Sequence, residues 1–236
     1  VQVGQCGNQV ATRFWELALR EHSTFNKSGG FDEPLSSFFR NVDPRYADPL
    51  NIPVGNPINT LKARSVVVDM EEGVINQLLK SELSELFDTQ QFISDVSGAG
   101  NNWAVGHFEY GERYRWEISE KVRRSVEHCD ALQSFFLMHS MGGGTGSGVG
   151  TFILKLLEEE YPEVFRFSTV VYPEDDVVTG PYNSVLAMKE LTEHADCVLP
   201  VDNQALMDIL AKIETSRQRV KDVKDDVADL TNDKRK

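Results

Sequence analysis

Short apolar runs alternate with segments of helical periodicity along this chain. Continuous apolar and β-branched runs are typical of strands that helices cover on both faces. Runs of this kind predict strands at Val1–Val3, Ser65–Val68, Phe92–Ile93, Ser134–Met138, Phe167–Tyr172 and Cys197–Pro200. Strands and helices in alternation indicate an α/β fold, a three-layer arrangement around a mostly parallel, Rossmann-like sheet.

Helices are predicted between several of these strands. The spacing of Val10, Phe14 and Leu17 predicts a first helix, because these residues recur at i, i+4 and i+7. An apolar stripe predicts a second helix over residues 152–157, and Pro181, which suits the first position of a helix, predicts a third over residues 182–194.

Two segments differ from this pattern. Residues 28–60 hold five of the nine prolines, so we expect a long surface loop there. Residues 214–236 are rich in charge and predict a helical or disordered tail. The expected organisation is one domain over residues 1–213 followed by this tail, and we expect the chain to be a piece of a longer protein.

Charge and composition exclude several classes of protein. Lys and Arg total 24 against 37 Asp and Glu, which gives a net charge of −13 and disfavours nucleic-acid binding. The sequence contains no apolar run near the roughly 20 residues that a membrane span needs. The cysteines are only three and include no C-x-x-C pair, so we expect a reducing, cytoplasmic location without a signal peptide.

The densest local feature is a glycine-rich segment that follows the predicted strand 134–138. Six glycines occupy the nine positions from Gly142 to Gly150, directly before the helix over 152–157. A strand, a glycine loop and a helix in this order direct free backbone amides and the positive helix end at an anion. We therefore interpret the segment as a phosphate-binding loop rather than a flexible linker.

This loop fits neither of the common phosphate-binding motifs. Gly143 and Gly148 have the Walker spacing, but Val149 stands where that motif requires lysine. The dinucleotide motif needs glycines at i, i+2 and i+5, and no set of glycines in the loop satisfies it.

Three further segments follow predicted strands in the same way. They are Gly4–Gln9, Gly98–Asn102 and the acidic Asp69–Glu72. Ligands of open parallel sheets bind at the carboxyl ends of the strands, so we expect all four segments to line one crevice. Each segment alone is weak support for such a site, and their combination is strong.

The four segments together resemble the tubulin family. GQCGNQ at 4–9, GAGNNWAVGH at 98–107, GGGTGSG at 142–148 and PYNSVLAMKEL at 181–191 are similar to the nucleotide-binding loops and adjoining helix of that family. The resemblance runs from Val1 to about Ile213. The amino-acid sequence of residues 174–206 is most similar to a centriole-associated class within the family.

The resemblance implies a binding site for GTP and Mg²⁺. In the family pattern, Gln5 and Cys6 would lie along the nucleotide, Gln9 near the base, Asp176 by the ribose, and Asn203 on the guanine edge. The residues expected around the phosphates are Gly100, Asn101, Ser140, Gly142, Gly143, Gly144, Thr145 and Gly146. Asp69 and Glu71 would face the magnesium end of the triphosphate.

The resemblance also implies partners, a cellular location and a GTP hydrolysis site that two neighbouring subunits share. The expected partners are other tubulin subunits and proteins of the centriole or basal body, in the cytoskeleton. Family members complete hydrolysis in trans, with an acidic residue from the neighbouring subunit, and we expect no catalytic residue in this chain. Gly180 departs from the pattern, because a glutamate usually contacts the ribose there. The family's central helix is not recognisable after Ile213.

Other interpretations stay open at this level. Asp69 with Glu71 could be a charge pair at a helix start, Asn203 a helix cap, and Cys6 a buried thiol. The whole chain could instead be a self-contained enzyme that uses ATP or a dinucleotide, or an interaction module that has lost nucleotide binding. The histidines have no metal-ligand spacing, and we assign them no catalytic role.

Overall fold

A six-stranded sheet forms the centre of the protein. The structure is a computed structural model that describes residues 1–46, 49–173 and 177–217. Its sheet strands are β1 (Gln2–Val3), β5 (Val67–Asp69), β6 (Phe92–Ser94), β7 (Ser134–Ser140), β8 (Phe165–Val171) and β9 (Cys197–Val201). All six strands predicted from the apolar runs are confirmed.

The sheet order is β6-β5-β1-β7-β8-β9. Pairing is parallel wherever the register is defined, and the longest pair runs from Ser134 opposite Phe165 to Ser140 opposite Val171. Parallel neighbours direct their carboxyl ends to one edge, so the segments that follow β1, β5, β6 and β7 emerge together.

Helices cover both faces of this sheet, which confirms the three-layer α/β prediction. One face packs against α4 (Gly111–Glu127), α5 (Gly150–Glu160) and α6 (Gly180–His194). The other packs against α1 (Gly4–Phe25) and α3 (Glu72–Leu79). Alternation along the strands separates the two cores, since Val66 and Val68 face the first and Val67 faces the second.

The segment predicted as a long surface loop is in part ordered and buried, so that prediction is wrong in part. It contains α2 (Glu33–Ser36), β2 (Phe39–Asp43) and β3 (Leu50–Asn51), and it ends at the first residue of β4 (Thr60–Ala63). The three strands form a small antiparallel sheet in the order β3-β2-β4. Phe39 packs against Trp15 of α1 with ring centroids 5.3 Å apart, and this burial outweighs the turn propensity of the prolines.

Helix α1 is confirmed, but its predicted stripe is buried only in part, since Phe14 packs against the second core and the other two residues do not. Val10 is 40% and Leu17 60% exposed, whereas Ala11 and Trp15 are buried. The reason is a close approach to the sheet, because a Cβ at Gly7 would overlap the carbonyl oxygen of Met138. A glycine faces the strand where the helix is nearest, and Val10 and Leu17 of the predicted stripe turn outward.

The chain divides into two compact units, Val1–Pro200 and Val201–Lys236. In the second unit, residues 203–217 are helical. Among the described residues, no helix combines the length and the apolar character that a bilayer crossing requires.

Candidate functional site

The segments expected to line one crevice do converge at the carboxyl edge of the sheet. A Cβ on Gly4, after β1, would lie 3.0 Å from the amide nitrogen of Gly146, after β7. A Cβ on Gly144 would lie 2.8 Å from the carbonyl oxygen of Ala99, in the segment after β6. Glycine is therefore required sterically at these positions, because the backbones themselves are in contact.

The first motif is the start of α1 rather than a loop before it. Gly4 has φ +74° and turns strand β1 directly into the helix, whose first turns carry Gln5, Cys6 and Gln9. Gln5 and Gln9 are exposed, and Cys6 is half-buried with its thiol pKa raised by burial. The residue before the helix is Val3, whose apolar side chain does not cap the first backbone amides of α1. These amides form the positive end of the helix and lie at the carboxyl edge of the sheet, where β1 ends.

The glycine-rich segment is part turn and part helix. Residues 141–143 form a bend after β7, the chain becomes helical at Gly144, and Thr145–Val149 wind as a π-helical turn that leads into α5. A Cβ on Gly146 would lie 2.6 Å from Oγ of Ser140, so the turn folds back over the strand end. Ser140 and Thr145 are half-buried at this edge.

The segment after β6 has an unusual backbone. Gly98, Gly100 and Asn101 have φ values of +66°, +56° and +53°, all in the left-handed region. Asn101 is the non-glycine residue with positive φ in the described part of the chain. Asparagine tolerates this region better than most residues, yet the conformation still needs support from its surroundings.

The two glycine segments face each other across a narrow gap. A Cβ on Gly143 would lie 3.7 Å from Oδ1 of Asn101 and 3.9 Å from Oγ of Ser140. Gly143 thus stands between two residues that the sequence assigns to the phosphates. The structure brings Asn101, Ser140 and Gly142–Gly146 together, as expected of a shared anion site.

The acidic segment contributes one buried and one exposed carboxylate. Asp69 ends β5 and is 2% exposed, and burial raises the pKa of its carboxyl to about 6. Within the described residues its Oδ2 has no hydrogen-bonding partner. Glu71 is exposed and precedes α3, where its side chain contacts Gly98.

Asn8 is a site residue that sequence reasoning missed, although it lies inside the GQCGNQ motif. Its side chain is buried and donates to the carbonyl oxygens of Gly4 at 2.9 Å and Val68 at 3.1 Å. In the described part of the chain its Oδ1, like Oδ2 of Asp69, is buried without a partner. Unsatisfied oxygens of an amide and a carboxylate are the ligands that a hard cation such as Mg²⁺ prefers, so these residues fit a cation.

Asn183 is a second residue that the sequence did not single out, despite its place in the PYNSVLAMKEL motif. Its buried side chain contacts both the 98–103 segment and the 141–146 segment. Only the three-dimensional packing of α6 reveals this contact, since the partners are 41 to 82 residues away in sequence.

Two predicted residues cannot be related to this edge. Asp176 lies outside the described residues. Asn203 begins the helix over residues 203–217 in the second compact unit, and Asp202 caps that helix by accepting from the amide of Gln204 at 2.8 Å. Helix capping is therefore the role of Asp202, and the contact of Asn203 with a base stays a prediction.

The buried histidines serve the fold. Nε2 of His139 lies 2.9 Å from Oγ of Ser168, and burial lowers the pKa of His139 to about 4. The ring of His107 stacks on Trp103 at 4.5 Å, and burial also lowers the pKa of His107. Both rings are therefore neutral near pH 7 and act as packing and hydrogen-bonding groups.

Comparison with known proteins gives one family. Residues 1–211 match the Tubulin/FtsZ family, GTPase domain. The chain is 63% identical over 217 residues to the tubulin epsilon chain of Homo sapiens, which covers 91% of this chain and 46% of that protein. The tubulin epsilon chain of Mus musculus is 62% identical over the same shares.

A conventional tubulin is more distant. The tubulin beta-1 chain of Homo sapiens is 38% identical over 213 residues, 89% of this chain and 45% of that protein. The chain thus spans about half the length of the curated relatives that it matches.

Proposed function

The chain belongs to the Tubulin/FtsZ family, and from this premise we propose that it binds GTP at the carboxyl edge of its sheet as part of an epsilon-like tubulin. The observation that carries the proposal is the close approach of the 98–103 and 141–146 backbones, where a Cβ on Gly144 would lie 2.7 Å from the amide nitrogen of Asn102 and 2.8 Å from the carbonyl oxygen of Ala99. In this proposal the backbone amides of the two segments bind the oxygens of a polyphosphate.

Each predicted site residue has a role in this proposal. Gly142–Gly146 and Ser140 wrap the phosphates, with Thr145 at the γ end, and Gly100 and Asn101 cover the β- and γ-phosphates. Gln5 and Cys6 lie along the nucleotide and Gln9 near the base. Asp176 approaches the ribose, and Asn203 bonds the guanine edge.

Charge balance requires a cation in this site. The phosphate loop has no lysine, since Val149 stands at the Walker position, and the chain as a whole carries −13. The amides of α1 and of the 145–149 turn supply partial positive charge, and Mg²⁺ supplies the rest. Asp69 and Glu71 would hold the ion directly or through water, and the unsatisfied oxygens of Asp69 and Asn8 support this assignment.

Hydrolysis in this proposal needs a second subunit. This chain binds and orients GTP, and a neighbouring tubulin subunit contributes the acidic residue that activates water. The protein would then act as a structural, cytoskeletal component of microtubule, centriole or basal-body assemblies. Its partners would be other tubulin subunits and centriole or basal-body proteins, with no role in binding nucleic acid or membranes. Residues 1–213 would form the nucleotide-binding domain, with residues 214–236 as a separate charged segment.

Substitution of Gly143 tests the proposed site directly. A methyl group at this position meets only ordinary van der Waals distances of 3.7 to 3.9 Å, so Gly143→Ala should fold. The same methyl group would lie between Asn101 and Ser140, where the phosphates are proposed to bind. We expect the affinity for a fluorescent GTP analogue to fall about tenfold or more, equivalent to about 1.4 kcal/mol.

Gly73→Ala is the matched control. It makes the same substitution in α3, where nothing lies within 4 Å of the new methyl group. Its affinity for the analogue should equal that of the unmodified chain. Equal affinity of the Gly143→Ala variant would contradict the proposed position of the phosphates.

A further inference from the structure

One buried side chain joins the two phosphate segments. Asn183, on α6, is 3% exposed. We propose that Asn183 is a positioning residue that fixes the spacing between the 98–103 and 141–146 segments. The inference rests on the proposed function, because that spacing is the width of the proposed phosphate site.

The hydrogen bonds of Asn183 reach three separate backbone groups. Its Nδ2 donates to the carbonyl oxygen of Asn101 at 2.8 Å and to that of Gly142 at 2.7 Å. Its Oδ1 accepts from the amide of Trp103 at 2.9 Å. Both donor hydrogens and the acceptor oxygen of the side chain are therefore used, which fixes the orientation of the amide group.

The 98–103 segment needs such a support. Gly100 and Asn101 are consecutive residues with positive φ, and this conformation is sterically unfavourable for Asn101 because it has a Cβ. Asn183 bonds the carbonyl oxygen of Asn101 and the amide of Trp103, so it holds this segment on both sides of residue 102.

The 141–146 segment is held from the same helix. The carbonyl oxygen of Gly142 accepts from Asn183, and a Cβ on Gly142 would lie 2.7 Å from Cβ of Pro173. Gly142 is therefore confined between α6 and the end of β8. With both segments bound to one amide group, neither can move away from the other without breaking a buried hydrogen bond.

Helix α6 is itself a fixed support. Ala187 and Leu191 lie one and two turns after Asn183, and both are buried in the core on that face of the sheet. Asn183 is thus attached to a helix that is anchored in the core. Because it is buried behind the backbone of both segments, its role is to position them rather than to touch the phosphates.

Few other side chains could take this role. Aspartate has no donor for the two carbonyl oxygens, and leucine has the size but no polar atoms. Serine keeps one donor. Asn183→Ala therefore removes all three hydrogen bonds. Asn183→Ser keeps one donor, so it should retain one weaker hydrogen bond, and the small polar side chain should not prevent folding.

Two measurements on the full chain test the inference. The first is amide hydrogen exchange of the nucleotide-free protein, which does not depend on GTP binding. Asn183→Ala should raise exchange in residues 98–103 and 141–146 while strand β7 stays protected. The second is the affinity for a fluorescent GTP analogue, which should fall about 10- to 100-fold in Asn183→Ala and less in Asn183→Ser.

Leu191→Ala is the control for a merely structural effect. It removes a buried side chain from the same helix and should lower the melting temperature, but it leaves all three hydrogen bonds of Asn183 in place. Its affinity for the analogue should stay within about twofold of the unmodified chain.

The outcomes separate this inference from the proposed function. If the unmodified chain fails to bind the analogue, the proposed function is wrong, and hydrogen exchange still decides whether Asn183 holds the segments. If the unmodified chain binds and Asn183→Ala shows unchanged affinity and unchanged exchange, Asn183 is not a positioning residue.

Discussion

Gly98 lies so close to Glu71 that a Cβ at position 98 would overlap Oε1 of the Glu71 carboxylate. The contact joins the segment after β6 to the acidic segment after β5. A glycine at this point leaves the carboxylate free to face the proposed magnesium position.

Gly98→Ala should therefore displace Glu71 and weaken the magnesium dependence of GTP binding. The exposed glutamate can rotate away, so the protein should still fold. The free energy of unfolding should fall by about 1–2 kcal/mol, because alanine is unfavourable at a positive φ. The measurement is GTP affinity with and without Mg²⁺, and the difference between the two should shrink.

Gly29→Ala separates backbone strain from displacement of the carboxylate. Gly29 lies outside the proposed site, has φ +69° and has nothing within 4 Å of its Cβ position. The free energy of unfolding should fall by a similar amount in the two variants, and Gly29→Ala should keep the larger magnesium dependence of GTP binding. If both variants show the same magnesium dependence, Glu71 does not serve the ion.

Asp69→Asn should change stability and binding in opposite directions. The carboxylate is buried with an unsatisfied Oδ2, and its raised pKa shows that the ionised form is unfavourable in the nucleotide-free fold. Removal of the charge should raise the free energy of unfolding by about 1–3 kcal/mol near pH 7. Magnesium-dependent GTP binding should weaken in the same variant.

Chemical denaturation and GTP titration of Asp69→Asn check this prediction together. Glu71→Gln is the comparison, because Glu71 is exposed and its neutralisation should weaken binding without a gain in stability. An Asp69→Asn variant with unchanged magnesium dependence would remove Asp69 from the site.

The sheet and the location of the site were predictable from the sequence, because both depend on local patterns. Continuous apolar runs marked every strand of the main sheet, and the segments after them had to share an edge once the strands were parallel. The small sheet over 39–63 was not predictable in this way. Its burial depends on Phe39 meeting Trp15 of α1, and prolines in the same region indicate turns.

The residues that hold the site together were also beyond the sequence. Asn8 and Asn183 act through backbone groups that are distant in the chain, such as Val68 and Gly142. An asparagine in a helix carries no sign of such partners. Burial of Ala11 instead of Val10 likewise follows from how close α1 lies to β7, which periodicity does not report.

Stability should fall in mild acid because of His139. Its pKa is about 4 in the fold against an ordinary value of 6.5, so the folded state resists a proton that the unfolded chain accepts. The stability is complete above pH 6.5 and is lost progressively as the pH falls toward 4. We expect the free energy of unfolding to fall by about 2 kcal/mol between pH 7.5 and pH 5 because of this histidine alone.

Denaturation of the unmodified chain and of His139→Gln over this pH range isolates the effect. Glutamine keeps a hydrogen-bonding group for Ser168 but does not titrate, so the variant should lose less stability in acid. If the free energy of unfolding depends on pH equally in the two proteins, His139 does not cause the loss of stability in acid.

GTP hydrolysis by the purified chain should be negligible. The proposal places the water-activating acid on a neighbouring subunit, and this chain supplies only the binding half of the site. Phosphate release should stay near the rate of the buffer alone at every protein concentration. Vigorous hydrolysis that does not depend on protein concentration would contradict a site completed in trans.

GTP binding at the carboxyl edge of the sheet is tested by competition against a fluorescent GTP analogue by GTP, ATP and NAD, with and without Mg²⁺. We expect displacement by GTP well ahead of ATP and NAD, and tighter binding when Mg²⁺ is present. Preferential displacement by ATP or NAD would favour a self-contained enzyme. An absence of binding by a chain that melts cooperatively would contradict the account and favour an interaction module.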